Sequence, residues 1–497
     1  MSFQDLDDLN QTVHALDHAL SVLSVDEAVN MPTGGGEARA EALATLAGIR
    51  HEHASDPKIR DLIEAARKED LTEDQRTALE EFDRVYTNLV CLPVEFVRRK
   101  TETTTRTEQA WRAMRPANDW KDFEKELKKV VDLAREESQL RAAATGLSPY
   151  DALMDQFDPG NRAENVTPVF THLKSFLKQF LPEALAAQAE RLAKRPLRPV
   201  MGPFPKASQK ALAEAVMPVV GFDFTHGRLD ESHHPFCGGV PTDVRMTTRY
   251  TETEFLTSLL AVLHETGHAL YEQGLERISA HWPHTQARGM GMHESQSLFV
   301  EMQIARSREF WEWARVYVDE HIGTHALEDL EVDDIMAIVN HIEPGYIRVD
   351  ADEVTYPLHV ILRYELESGL IGGNMQVSDI PELWDAKMKE YLGISTIDNP
   401  KDGPMQDVHW PAGLFGYFPS YTLGAMMAAQ QWAAMEKANP GARQQIAKGD
   451  FSKINDWRRD NIWRQGSRFS TPEIMRRATG EELNADFFIN HLKKRYL

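Results

Sequence analysis

Residues 259–275, LLAVLHETGHALYEQGL, constrain the fold of this chain more than any other segment. Apolar residues cover almost every side of the predicted helix, which is typical of a helix buried within a larger core. His264, Glu265 and His268 interrupt this apolar surface. Because burying a polar group without a partner costs about 2–7 kcal/mol, we expect the three side chains to share a partner inside the protein.

The spacing of the trio predicts a metal ion as that partner. An α-helix turns once in 3.6 residues, so His264 and His268 project from one face and can bind one cation. Glu265 follows the first histidine directly, which places it beside the metal, where it can take a proton from water. Imidazole nitrogen suits zinc, and a catalytic zinc has three protein ligands and one open position. Cobalt accepts the same ligands.

A third ligand is expected on a neighbouring helix. In the segment GMGMHESQSLFVEMQIARSREFW, Glu294 lies 26 residues after His268 and just before a helix predicted to begin near Ser295. Two imidazoles and one carboxylate form the ligand set of thermolysin-like zinc hydrolases. His293 and Glu301 are the rival candidates, and Glu301 also fits a supporting position behind the ligands.

The rest of the chain predicts a mainly α fold. Amphipathic periodicity recurs in EARAEALATLAGIRHEHA, LTEDQRTALEEFDRVYTNLVCL and DWKDFEKELKKVVDLAREESQL. Between Phe222 and Tyr250 the composition changes, and the alternation of Val244, Met246, Thr248 and Tyr250 predicts one or two short strands. We therefore expect one domain, residues 1–497. Its helical part, about 1–200, forms one side of a groove, and 201–497 carries the metal site with a small sheet beside the metal-binding helix.

Composition limits the partners. The chain has 55 Lys and Arg against 77 Asp and Glu, a net charge of −22, which repels nucleic acid and anionic membrane surfaces. Its two cysteines, Cys91 and Cys237, are too few for a disulfide framework. No segment reads as an export signal or a membrane span. We expect a cytoplasmic protein.

Six short segments in order resemble the carboxypeptidase Taq family of metallocarboxypeptidases. They are HPF, DVRMT, HETGH, HESQS, IRVDAD and GPMQDVHW, and they span residues 234–410. MPTGGGEARAEALATL and ATGEEL extend the likeness to nearly the whole chain. The resemblance implies an almost wholly helical fold with a deep groove, a homodimer, and removal of single C-terminal residues from peptides with broad selectivity.

A carboxypeptidase must recognise a terminal carboxylate, and the planar fork of arginine does this best. Arg245 in DVRMT and Arg348 in IRVDAD are the candidates, and both lie at motif positions of the similar family. In GPMQDVHW, Gln406 is a candidate donor to substrate. His234 in HPF is expected to line the groove near the C-terminal subsites, although a histidine that caps the turn before a proline fits the same sequence.

Hydrogen-bond donors for the developing oxyanion are expected after residue 404. His409, Tyr417 and Tyr421 all occur there. Similarity to zinc peptidases that use a late His and Tyr favours His409 and Tyr421. A packed aromatic loop is the alternative.

Two other functions remain open at this point. An endo-acting zinc oligopeptidase would use the same metal chemistry without requiring a free carboxyl terminus. A helical scaffold with a structural metal is the other, but a structural zinc takes four protein ligands and has no use for a neighbouring base such as Glu265.

Overall fold

The computed structural model describes residues 2–198, 200, 202–232, 235–323 and 326–497. Long helices form the first part: α1 (Ser2–Val29), α2 (Gly36–Ala54), α3 (Lys58–Ala66), α4 (Glu73–Val90), α5 (Val94–Met114), α6 (Trp120–Thr145), α7 (Pro149–Met154), α8 (Ala163–Lys194) and α9 (Lys206–Val220). The three predicted amphipathic segments are α2, α4 and α6. Local caps explain two of the boundaries, because Thr72 and Gln75 form a capping box at α4 and Gly146, with φ of 73°, ends α6.

Three strands follow: β1 (Gly227–Glu231), β2 (Phe236–Val240) and β3 (Asp243–Thr248). They form one sheet in the order β1-β3-β2, with β1 parallel and β2 antiparallel to β3. Val244 and Met246 of β3 are buried against α10, as their alternation predicts, whereas Tyr250 lies beyond the strand end. Because β1 and β2 lack such alternation, the sequence predicted one or two strands instead of three.

Helices then continue to the C-terminus. They are α10 (Leu256–Gly274), α11 (Gly289–Leu298), α12 (Arg308–His321), α13 (Val332–Val339), α14 (Tyr356–Ile371), α15 (Ile380–Leu392), α16 (Pro419–Ala438), α17 (Ala442–Ile446), α18 (Ser452–Asn461), α19 (Thr471–Thr479) and α20 (Ala485–Tyr496). The helix that begins as α11 continues as a π-helical segment, Phe299–Ala305. The mainly α fold with a small sheet beside α10 is confirmed.

One large core holds most of the chain. It contains buried side chains from Phe123 of α6 through α10 and α16 to Tyr496 of α20. A smaller core joins α1, α3 and α4 through residues such as Leu6, Ile63 and Phe82. The helix α10, which carries the candidate metal ligands His264 and His268, therefore lies inside the larger core, where neighbouring helices hold its side chains. Within the described ranges, every helix is too short or too polar to span a lipid bilayer.

Candidate metal centre and active site

Three potential ligand atoms converge between α10 and α11. A carboxylate oxygen of Glu294 lies 3.4 Å from Nε2 of His268 and 3.7 Å from Nε2 of His264. All three ligand atoms lie within 4.8 Å of one another. Two imidazole nitrogens and one carboxylate oxygen suit zinc and leave room for a further ligand, so the donor set fits a catalytic metal ion.

Two glycines explain how Glu294 reaches this position. A β-carbon at Gly267 of α10 would lie 2.5 Å from Cα of Ser297, and one at Gly424 of α16 would lie 2.7 Å from Cβ of Glu294. Both distances are far below normal contact, so α11 can pack this closely only against glycine. Contrary to the sequence-based expectation of a start near Ser295, α11 begins at Gly289, and Glu294 lies in its middle.

A carboxylate supports the first histidine from behind. Nδ1 of His264 lies 2.9 Å from a carboxylate oxygen of Glu301, and Arg306 donates a 2.8 Å hydrogen bond to the other oxygen. Glu301 belongs to the π-helical segment, a geometry often found at functional sites. This arrangement orients the ring and leaves its Nε2 directed at Glu294.

A second histidine supports His268. Their Nδ1 atoms lie 2.5 Å apart, and Nε2 of His293 donates to Glu272 at 2.8 Å. Glu272 lies on α10 one turn after His268. The same helix therefore supplies a candidate ligand, His268, and the carboxylate that ends the series of hydrogen bonds behind that ligand. His293 and Glu301, the rivals of Glu294, thus contact the Nδ1 sides of the two imidazoles.

Burial and charge oppose each other at these groups. Burial lowers the pKa of His264, but the carboxylates of Glu294 and Glu301 outweigh it and raise the pKa to about 10. For His268, burial prevails and lowers the pKa to about 4. Burial also raises the pKa of Glu265 to about 7, against the opposing charge of His264. A carboxyl whose pKa lies near neutral pH can act as a proton acceptor and donor.

The two candidate arginines have different surroundings. Arg348, with only 5% of its side chain exposed, donates from Nε and Nη2 to Asp407 and from Nη1 to Tyr356. Arg245 lies on β3 with 23% of its side chain exposed, and Nε and Nη2 each donate to Asp243 at 2.9 Å. Arg348 is therefore fully engaged by protein, whereas Arg245 is partly open.

Gln406 is occupied by backbone groups. Its side-chain oxygen accepts from the N–H of Arg348 at 2.7 Å, and its amide donates to the carbonyls of Tyr346 and Asp402. It joins the segment around Arg348 to the segment that carries His409. The predicted residue His234 lies outside the described residues.

His409 and Tyr421 contact each other. Nε2 of His409 lies 3.1 Å from Oη of Tyr421, and burial lowers the pKa of His409 to about 4. The ring of Tyr421 lies 5.3 Å from the ring of Tyr417 and 4.8 Å from the guanidinium of Arg348. Tyr356 joins this cluster by accepting a hydrogen bond from Arg348, and burial raises the pKa of Tyr356 to about 12. Tyr356 was not among the residues predicted from the sequence. Its position eight residues after Arg348, before a proline, was the available clue.

Glu367 holds the loop that carries His409. Its carboxylate accepts from Nε1 of Trp410 at 2.8 Å, from the N–H of Gly416 at 3.0 Å and from Oη of Tyr150 at 3.0 Å. Burial raises the pKa of Glu367 to about 7. The bonds from Trp410 and Gly416 fix both ends of the segment between them against α14, and the bond from Tyr150 ties α7 to the same carboxylate.

The chain is similar to known carboxypeptidases along nearly its whole length. A family model described as Carboxypeptidase Taq (M32) metallopeptidase matches residues 5–496. Thermostable carboxypeptidase 1 of Thermus thermophilus is 38% identical over 95% of this chain and 93% of that protein. The structure of Trypanosoma cruzi metallocarboxypeptidase 1 matches with a TM-score of 0.95 and 42% identity, over 100% of this chain and 99% of that one. An M32 carboxypeptidase from Deinococcus radiodurans matches with a TM-score of 0.94 and 34% identity, over 100% and 98%.

Proposed function

The chain belongs to the carboxypeptidase Taq (M32) family and is a metallocarboxypeptidase, and we propose that it removes single residues from the free C-terminus of peptides, with broad selectivity. One zinc ion held by His264, His268 and Glu294 would serve the reaction, and cobalt suits the same ligands. The observation that carries this proposal is the convergence of the three ligand atoms next to the buried Glu265.

Glu265 is the proposed general base. An ion held by these ligands would lower the pKa of a water molecule and polarise the carbonyl of the scissile bond. Glu265 receives the proton of the attacking water and passes it to the leaving amine. Burial raises the pKa of its carboxyl above the usual value, which favours uptake of that proton.

His409 and Tyr421 are the proposed donors to the oxyanion. Burial keeps His409 neutral at pH 7, so one ring nitrogen donates a hydrogen bond and the other can accept one. The 3.1 Å contact with Tyr421 orients both groups relative to each other. Arg348, fixed by Asp407 and packed over Tyr421, positions the tyrosine and adds positive charge beside it.

Arg245 is the better placed of the two arginines to bind the terminal carboxylate. Asp243 engages the Nε and Nη2 side of the guanidinium, and no partner for Nη1 lies among the residues that the structure describes. The edge formed by Nη1 and Nη2 is thus free for bidentate pairing with a carboxylate. Arg348 would have to release Asp407 or Tyr356 to do the same. His234 remains a predicted substrate contact.

A peptide pair tests the function. We expect the metal-loaded protein to shorten a peptide with a free C-terminus one residue at a time, and to leave its C-terminally amidated twin intact, as followed by mass spectrometry. Internal cleavage of both peptides would instead favour the endo-acting oligopeptidase. We further propose a cytoplasmic homodimer, in keeping with the resemblance and with two free cysteines.

A further inference from the structure

Gly238 lies in the middle of β2, directly opposite Arg245 of β3. The antiparallel register pairs Gly238 with Arg245, and pairs Phe236 with Thr247 and Val240 with Asp243 on the same side. Residues opposite each other in an antiparallel pair share one face of the sheet. The space that a side chain at Gly238 would fill is therefore beside the Arg245 side chain.

Neither structural reason for a glycine applies at this position. The next residue, Gly239, has φ of 130°, and a β-carbon there would clash with the carbonyl oxygen of Asp243. Gly238 has no such left-handed φ, and a β-carbon would meet no described atom within 4 Å. Glycine in the interior of a strand weakens it and often marks the close approach of a ligand. No protein group of the described residues approaches this position, so the space beside Gly238 can admit a ligand.

The guanidinium beside this space is held in one orientation. Asp243 binds Nε and Nη2 of Arg245 and also lies 3.0 Å from Nε2 of His18 on α1. The sheet and α1 thus fix the arginine from one side, and its Nη1 edge stays open. The guanidinium of Arg245 can therefore bind an anion in one fixed orientation, beside the space that a side chain at Gly238 would occupy.

We infer that Gly238 determines substrate access at Arg245: the missing side chain leaves room for the C-terminal residue of the peptide, whose carboxylate pairs with the guanidinium. This rests on the proposed function, in which Arg245 binds that carboxylate. Any side chain at residue 238 would fill part of the space that the C-terminal residue of the peptide occupies. The effect should grow with side-chain volume.

Steady-state kinetics on an N-acylated dipeptide with a free carboxylate test the inference. We expect Gly238→Val to raise KM about tenfold or more, as loss of a charge-assisted hydrogen bond would, and Gly238→Ala to raise it less. The kcat of both should stay within about threefold, because a substrate-binding effect appears mainly in KM. The melting temperature should not fall, since the strand gains a side chain.

A matched control and a double substitution separate the causes. Gly48 on α2 is exposed, has no described atom within 4 Å of its β-carbon position and has no left-handed φ, so Gly48→Ala should leave KM and kcat unchanged. In an Arg245→Met background, Gly238→Val should add far less than in the wild type. An unchanged KM in Gly238→Val, or full additivity with Arg245→Met, would overturn the inference. A wild type that cleaves amidated and free dipeptides equally would instead refute the proposed function.

Discussion

The Nδ1 atoms of His268 and His293 lie 2.5 Å apart, so one of them donates a hydrogen bond and the other accepts it. Nε2 of His293 carries a proton because it donates to Glu272. In a neutral imidazole the other nitrogen is an acceptor, so Nδ1 of His293 accepts from Nδ1–H of His268. His268 then presents the lone pair of Nε2 toward Glu294, the tautomer that a metal ligand needs.

Breaking this chain of hydrogen bonds should weaken metal binding. We expect His293→Phe and Glu272→Ala each to raise the dissociation constant for zinc about 10- to 100-fold, because the imidazole of His268 loses its orienting partner. Competition with a chromophoric chelator measures this directly, without reference to turnover. Glu312 on α12 is exposed and serves as the control position, where Glu312→Gln should change nothing. Zinc affinity equal to wild type in both site variants would show that the chain is dispensable.

Replacing Glu265 should separate metal binding from catalysis. We expect Glu265→Gln to retain one zinc per chain and to lower kcat about 10²- to 10⁴-fold, because the amide cannot accept the proton of the attacking water. Metal analysis of the purified protein and initial rates on one dipeptide give both values. A variant with wild-type kcat would remove Glu265 from the proposed mechanism.

Gly267 should be intolerant of any side chain. We expect Gly267→Ala to lower the free energy of unfolding of the metal-free protein by about 1–3 kcal/mol, because a methyl group would overlap the backbone of α11 at Ser297. The same shift of α11 should move Glu294 and reduce zinc affinity. Urea unfolding and chelator competition measure the two effects. Gly48→Ala on α2 is the matched control and should raise stability by up to about 1 kcal/mol. Unchanged stability in Gly267→Ala would contradict the close packing.

Glu367 should make stability depend on pH. Its folded-state pKa of about 7 exceeds the usual value of 4.5, so between these pH values the folded protein binds more protons than the unfolded chain. The contribution of the protonated carboxyl is complete below pH 4.5 and is lost as the pH rises to about 7, an effect on the order of 3 kcal/mol. Urea titrations at several pH values should show wild-type stability falling relative to Glu367→Gln over this range. A constant difference would exclude a raised pKa.

The amino-acid sequence identified the three side chains that converge between α10 and α11, but fewer of the contacts around them. The spacing of His264 and His268 follows from helix geometry alone, and Glu294 from ligand chemistry on a nearby segment. The start of α11 was placed too late because Gly289 and Gly291 resemble loop residues, although Gly291 is needed where Asp158 packs against the helix.

Long-range pairing was beyond sequence reasoning. Arg348 was predicted as a substrate-binding residue, but its contacts with Asp407, 59 residues later, and with Tyr356 were not foreseen. The role of Glu272 behind His268 likewise depends on His293, which a different helix supplies. Periodicity identifies which residues share a face of one helix, and not which helix faces another.

The π-helical turn at Phe299–Ala305 sets a limit on how this region of the chain can change. Glu294 and Glu301 serve opposite ends of the His264 ring, and both distances depend on how many residues separate them. Deleting one residue between them would rotate the later carboxylate by about 100° around the helix axis. An insertion or deletion between the two glutamates would therefore separate the groups that hold the two nitrogens of His264.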